Sequence, residues 1–74
     1  MENGGGAMIR SRIDDLLWQK RLRVKDLIDR SGLARETIFR AKKDETLPSC
    51  KLETLETIAR ALDVQIRDLF EELP

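Results

Sequence analysis

The stretch from residue 24 to residue 43 (VKDLIDRSGLARETIFRAKK) constrains the fold of this chain more than any other segment. Apolar residues recur there at three- and four-residue spacings on both sides of a short break, which predicts two amphipathic helices, Val24–Arg30 and Arg35–Lys43. The break contains Gly32, a residue type that ends a helix in the left-handed conformation at little cost. We therefore expect two short helices joined by a tight turn.

Two helices joined by such a turn form a helix-turn-helix unit, and its second helix is the candidate binding element. The side chains expected on the outward side of that helix are Arg35, Glu36, Phe39 and Arg40. Arginine can donate two hydrogen bonds to guanine, and glutamate can accept one from cytosine. Glu36 has an alternative interpretation, since an acid in the first turn also complements the helix dipole.

Charge divides the chain into two halves, although its net charge is zero. Residues 9–43 carry eleven basic and five acidic residues, a balance of +6. Residues 44–74 carry three basic and eight acidic residues, a balance of −5, and Glu2 supplies the remaining negative charge. A basic half that contains a helix-turn-helix is typical of a nucleic-acid-binding surface. Without that motif, simple solvation of helix faces by both signs of charge would be the favoured interpretation.

Length and composition indicate one small helical domain. The 74 residues allow a single domain of modest stability, and 4% aromatic residues with only two prolines favour an all-α fold. One cysteine and no histidine argue against a disulfide framework or a zinc site, so we expect no metal or cofactor. A reducing, cytoplasmic location fits this composition. No apolar run reaches the roughly 20 residues of a membrane span, and no signal peptide is expected.

The rest of the sequence predicts further helices around one core. Met1–Ala7 is glycine-rich and is expected to be a disordered arm or an expression remnant, which leaves residues 8–74 as the domain. Asp44–Lys51 is expected to be a loop because it contains Pro48 and Ser49. The additional helices are expected at Met8–Lys20, Leu52–Leu62 and Ile66–Glu72. The expected core consists of Ile9, Ile13, Leu16, Leu27, Ile28, Leu33, Ile38, Leu55, Ile58, Leu62, Val64, Leu69 and Phe70.

Three segments together resemble a known family. They are LIDRSGLARETIFR at 27–40, the following loop with its Pro-Ser pair, and LETLETIARALDVQIRDLF at 52–70. This set is similar to the phage-repressor and Cro-like (Xre-type) helix-turn-helix domains of bacteria and phages. The resemblance covers about Ile9 to Phe70. It implies a compact, all-α, five-helix lambda-repressor-like bundle that binds a double-stranded DNA operator in transcriptional control.

The resemblance also implies roles for individual residues. In such domains the second helix of the motif enters the major groove, and the positions that face the bases match Ala34, Arg35, Glu36, Phe39 and Arg40. Phe39 is suited to packing against a thymine methyl group. The start of the first helix of the motif and the loop before the fourth helix hold phosphates. The candidate phosphate contacts are Arg23, Lys25, Ala34, Lys42 and Lys43. The two lysines have an alternative role as charges that complement the helix dipole.

Several positions depart from the family pattern. The usual serine-glutamine pair is replaced by Arg23 and Val24, and valine cannot hydrogen-bond a phosphate. Ile28 stands where a small alanine is usual, and Ala41 stands where a large aliphatic residue is usual. We interpret this pair as a compensating exchange of volume, which cores tolerate.

Domains of this kind usually bind two half-sites as dimers, so we expect a weak or DNA-induced homodimer. The candidate contacts are Trp18, Phe70 and Leu73. Trp18 falls roughly opposite the apolar stripe of the first helix. Local packing is the favoured interpretation of this tryptophan, and an exposed contact with a partner is the alternative.

A second functional hypothesis is a protein-interaction module, such as an antitoxin-like or adaptor subunit whose acidic half binds a partner protein. Val24, Glu36 and a sequence pI near 6.3 favour it, while the charge polarity disfavours it. An enzyme is not expected, because the chain lacks histidine and a glycine-rich phosphate loop. Cys50 is the only candidate nucleophile, and the adjacent Lys51 could lower its pKa. A plain loop cysteine is the preferred interpretation.

Overall fold

The structure, a computed structural model, describes residues 8–74. The predicted disordered arm at Met1–Ala7 lies outside the described residues. Residues 8–74 form four α-helices, two 3-10 turns and a two-stranded antiparallel sheet. The elements are β1 (Met8–Ser11), α1 (Ile13–Lys20), α2 (Val24–Ser31), α3 (Arg35–Lys42), a 3-10 turn at Leu47–Ser49, α4 (Leu52–Leu62), a second 3-10 turn at Ile66–Leu69, and β2 (Phe70–Leu73). None of these helices is long and apolar enough to cross a bilayer.

The prediction of an all-α, five-helix bundle is wrong at the two ends of the described chain. Met8–Ser11 is a strand rather than the start of the first helix, and the predicted helix Ile66–Glu72 is a 3-10 turn followed by β2. The two strands pair with Met8 opposite Leu73 and Ser11 opposite Phe70. Exposure along β1 alternates, as expected for a strand with one face toward the core. The fold is therefore mostly helical with a small sheet that joins its two ends.

Three of the four helices end in the left-handed conformation. Gly32 ends α2 with φ 72°, which confirms the role predicted for it. Arg21 ends α1 with φ 57°, and Asp63 ends α4 with φ 58°. In both of the latter helices, amides just beyond the end donate to carbonyls of the last turn.

The core forms where α1, α2, α3 and α4 meet beneath the two 3-10 turns. The buried residues are Ile13, Leu16, Leu17, Leu27, Ile38, Ala41, Leu47, Leu55, Ile58, Ala59, Leu62 and Leu69. The predicted core members that are only partly buried are Ile9, Ile28, Leu33, Val64 and Phe70, which pack around its edge. Leu47 was missed because it lies in the segment predicted to be a loop. Ala41 is fully buried while Ile28 packs beside the core, which fits the predicted exchange of volume.

One further prediction, the local packing of Trp18 on α1, is not met. Trp18 is 83% exposed, so the favoured interpretation of local packing is wrong and the alternative of an exposed side chain holds. Leu52, at the first position of α4, is also exposed, at 68%. It precedes the buried stripe that begins at Leu55.

Candidate nucleic-acid interface

Helix α3 is held on the domain by two inward-facing residues. Ile38 and Ala41 are fully buried and lie one turn apart on the same side of the helix. The small alanine allows α3 to pack closely against its neighbours, while the isoleucine fills the core. The remaining side of α3 carries polar and charged residues together with the half-buried Phe39.

The C-terminal end of α3 is closed by hydroxyl groups from two other segments. Ser11 Oγ on β1 donates to the carbonyl oxygen of Ala41 at 2.9 Å, and Thr46 Oγ1 donates to that of Arg40 at 2.6 Å. The backbone N–H of Ser11 donates in turn to Asp44 Oδ1 at 2.7 Å. The last carbonyls of a helix lack partners within the helix, so these hydroxyls satisfy them. This network fixes the axis of α3 relative to β1.

An outer stripe of three charged residues runs along α3, and we call it the open stripe. It consists of Glu36 and Arg40 on α3 and of Lys43 directly after the helix, and all three are exposed. Together with Phe39 and Thr46 they line a shallow groove of about 250 Å³. The structure thus brings together three predicted base-reading residues and one predicted phosphate contact. Thr46 was not predicted, because its role depends on the turn that follows α3.

A second stripe on α3, which we call the stacked stripe, consists of Arg35, Phe39 and Lys42. The guanidinium carbon of Arg35 lies 5.2 Å from the centre of the Phe39 ring. Lys42 Nζ lies 4.8 Å from the same ring centre. Both distances are within the range of cation–π interactions. Phe39 is half-buried. Its ring contacts these two cations and also borders the groove that the open stripe lines.

Lys42 differs from the neighbouring Lys43 because it has an anionic partner. Its Nζ lies 3.1 Å from Asp14 Oδ1 in the first turn of α1, and its side chain is only 17% exposed. Lys43 is exposed. The two lysines were predicted to act alike, either on phosphate or on the helix dipole. The structure places the ammonium of Lys42 against α1 and leaves Lys43 on the open surface.

The remaining predicted phosphate contacts lie near helix starts. Arg23 and Lys25 are exposed at the start of α2, where the N–H of Arg23 donates to Asp26 Oδ2 at 2.9 Å. Ala34 is the exposed residue before α3, and its methyl group offers no acceptor for the first amides of that helix. Unsatisfied amides at a helix start attract phosphate oxygens. Val24 packs against the core instead of pointing at a ligand.

The three candidate partner contacts are not equivalent. Trp18 projects into solvent beside a groove of about 570 Å³ that Leu17, Gln19, Arg21 and Leu22 also line. Leu73 at the end of β2 is 38% exposed. Phe70 is half-buried and packs against the core, so less of its ring is available to a partner.

The surroundings of Cys50 do not favour its thiolate form. Burial raises the pKa of the Cys50 thiol above its ordinary value, and the nearby Arg40 offsets this only in part. The predicted lowering of the pKa by Lys51 is therefore wrong. The thiol donates instead to the carbonyl oxygen of Thr46 at 3.8 Å. Within residues 8–74 no three cysteine or acidic side chains come together as they would to bind a metal ion.

Comparison with known families supports the interpretation of α2 and α3. The model of a family described as a Cro/C1-type helix-turn-helix DNA-binding domain matches residues 12–72. The match includes both helices of the motif, all of α4 and most of the C-terminal strand, and it confirms the resemblance found in the sequence. Comparisons with curated proteins and with solved structures found no match.

Proposed function

Because this chain belongs to the Cro/C1-type helix-turn-helix DNA-binding domains, and is thus a DNA-binding regulator in general terms, we propose that it binds a specific double-stranded operator. Helix α3 enters the major groove, where Arg35, Glu36 and Arg40 contact base edges. Occupancy of the operator displaces or recruits polymerase. The protein acts in the cytoplasm, at the nucleoid.

The exposed open stripe of α3 is the observation that carries this proposal. Arg40 on α3 and Lys43 just after it are exposed, and the opposite side of the helix is anchored in the core, so the DNA contacts would be made by a rigidly held element. Arg23 and Lys25 add positive charge at the start of α2, where phosphates would align the domain on the duplex. Glu36 restricts the choice of base, because a carboxylate accepts hydrogen bonds and repels phosphate.

The test is selection from randomised duplex DNA, followed by fluorescence-polarisation titrations of the enriched sequence across a salt series. We expect an enriched motif and an affinity that falls steeply with salt, by a slope of about 0.9 for each neutralised phosphate. The double variant Arg35→Ala/Arg40→Ala should lose the preference for the enriched motif over random DNA.

The matched control is the double variant Arg60→Ala/Arg67→Ala, which removes the same charge from exposed positions in the acidic half. We expect the control to keep the preference of the wild type. The proposal is wrong if the wild type enriches no motif. The assignment of α3 is wrong if the control lowers specificity as much as the α3 variant does.

We further propose that the protein forms a weak or DNA-induced homodimer through Trp18 or Leu73. Trp18 is 83% exposed, and tryptophan is enriched at protein–protein interfaces. Sedimentation velocity with and without operator DNA tests this. Trp18→Ala should reduce dimer formation, whereas Leu52→Ala, at a site that is 68% exposed, should not.

The same exposed Trp18 favours a second function, that of a protein-interaction module. Residues 16–25 contain four cations and no acid, so the groove beside this ring is suited to an acidic protein partner. This function gains support if DNA selection fails and if an acidic peptide library yields a binder that quenches the fluorescence of Trp18, the only tryptophan. Enrichment of a DNA motif together with no such binder would eliminate it.

A further inference from the structure

The stacked stripe connects the outer surface of α3 to α1 through a continuous series of contacts. Asp14 on α1 pairs with Lys42 at 3.1 Å, Lys42 Nζ lies 4.8 Å from the Phe39 ring centre, and that centre lies 5.2 Å from the guanidinium carbon of Arg35. Through these contacts, Asp14, Lys42 and Phe39 hold the guanidinium group of Arg35 at the start of α3.

We propose that Phe39 is a positioning residue that aims Arg35 at its base, and that the Asp14–Lys42 pair holds the Phe39 ring in place for this purpose. This inference rests on the proposed operator binding and assigns the specificity at one base pair. In this proposal Phe39 positions Arg35 and does not contact a thymine methyl group. Lys42 likewise holds the Phe39 ring and does not contact a phosphate.

The physical reason lies in the freedom of an exposed arginine. The side chain of Arg35 has several rotatable bonds, and ordering it on DNA costs conformational entropy. A guanidinium that already stacks on an aromatic ring loses less freedom when it forms its two hydrogen bonds to guanine. The spacing of Arg35 and Phe39 by four positions places them one turn apart on the same side of α3, where such a stack can form.

The ring is itself restrained from the other end of the stripe. Lys42 faces it at three positions further along α3, and the ammonium cannot swing toward DNA without leaving Asp14. The Lys42 side chain is only 17% exposed, which agrees with a fixed position against α1. Because its charge is already paired, this lysine releases few counterions when DNA binds.

The first measurement uses the protein without DNA. Ring currents should shift the side-chain protons of Arg35 and Lys42 upfield in proton NMR spectra, and Phe39→Leu should abolish both shifts. Phe39→Tyr keeps the aromatic face and should restore them. Asp14→Asn should reduce the Lys42 shift, whereas Asp15→Asn should leave it unchanged. Asp15 is a matched control because it follows Asp14 directly and pairs with Arg10 rather than with α3. Absence of these shifts in the wild type would overturn the stack even if the protein reads an operator.

The second measurement uses the selected operator and its single-base variants. Phe39→Leu should lower the preference at the base pair that Arg35→Ala also affects, by about two- to fivefold, the equivalent of an exposed cation–π contact. Phe39→Tyr should retain the preference. In a double-mutant cycle, Arg35→Ala and Phe39→Leu should be non-additive at that base pair. A loss at a different, thymine-containing position with additive effects would overturn the inference and restore the direct contact with the methyl group.

The third measurement compares the two adjacent lysines by the salt dependence of operator binding. Lys43→Met should reduce the salt slope by about 1, as expected for loss of a phosphate contact. Lys42→Met should leave the slope nearly unchanged but lower the preference at the base pair read by Arg35. An equal reduction of the slope by both variants would show that Lys42 contacts phosphate. Failure of the wild type to enrich any motif would overturn the proposed function and this inference together, whereas the preceding outcomes overturn the inference alone.

Discussion

Helices α3 and α4 bury their inner sides in the same core but differ in how their ends are held and in what their outer sides carry. Helix α4 has eleven residues, four of them buried, and ends through its own backbone at Asp63. Helix α3 has eight residues with only two buried, and hydroxyls from β1 and the following turn close its end. The candidate DNA-binding helix is thus held by other parts of the fold. Because only two of its residues are buried, much of its outer side is exposed and available for binding.

The largest expected effect tests the feature that the two helices share. Ile38→Ala in α3 and Ile58→Ala in α4 each remove a fully buried side chain, and each should lower the free energy of unfolding by about 2–5 kcal/mol. Urea denaturation followed by far-UV circular dichroism measures this. Leu52→Ala is the exposed control and should change stability by less than about 0.5 kcal/mol. A small loss for Ile38 beside a large loss for Ile58 would mean that α3 is not packed into the core.

The next effect tests the difference between the outer sides. Arg40→Ala on α3 should weaken binding to the selected operator by about 1–3 kcal/mol. Arg60→Ala on α4 removes the same charge from an exposed position and should change the affinity by less than about 0.5 kcal/mol. Titration of both variants at one salt concentration gives the comparison. Equal losses would indicate that the net charge of the domain, rather than α3, governs binding.

The bounds of both helices could be predicted from the sequence, whereas the long-range contacts around them could not. The bounds of α4 agree with the prediction, and those of α3 agree to within one residue, because the apolar spacing that defines each helix is local. The sheet was not predicted, since Arg10 and Glu71 are paired across 61 positions of the chain. The hydroxyl of Ser11 was missed for the same reason, because Ser11 lies 30 positions from Ala41 along the chain.

In the candidate site, too, some features could be predicted from the sequence and others could not. The exposure of Arg35, Glu36 and Arg40 could be predicted from helical periodicity alone. The different environments of Lys42 and Lys43 could not, because they depend on the approach of Asp14 from another helix. A sequence pattern identifies which residue types share a helix face. The contacts that fix their orientation come from the packing of distant segments.

A smaller effect should appear when the hydroxyls at the end of α3 are removed. Ser11→Ala and Thr46→Val each leave a carbonyl of α3 without its side-chain donor, at a cost of about 1 kcal/mol. Amide hydrogen exchange should accelerate in the last turn of α3 and stay unchanged in α4. Thr57→Val is the matched control, because the Thr57 hydroxyl donates at 3.0 Å to Glu53, whose carbonyl also lies in the backbone ladder of α4. Equal acceleration in both helices would contradict the local role of Ser11 and Thr46.

The smallest effect concerns Asp63, which ends α4 in the same conformation as Gly32 at the end of α2. Asp63 has φ 58° and Gly32 has φ 72°, but only glycine adopts this conformation without strain. Asp63→Gly should raise the free energy of unfolding by about 0.5 kcal/mol. The gain from relieving backbone strain in the folded state exceeds the cost of the added conformational entropy of the unfolded chain. The substitution also removes a negative charge from the end of α4, where the helix dipole disfavours it. A rise in Tm of about 2–4 °C is expected for a domain of this size.

Gly32→Ala is the reverse substitution at the end of α2. A Cβ atom there would meet no other atom within 4 Å, so the whole cost comes from the backbone conformation. We expect a loss of about 1 kcal/mol in thermal unfolding. If Asp63→Gly lowers Tm instead, the Asp63 side chain must stabilise the end of α4 by an interaction with the turn that follows. Helix α4 would then depend on neighbouring segments at its end as α3 does, and the contrast between the two helices would be confined to their outer faces.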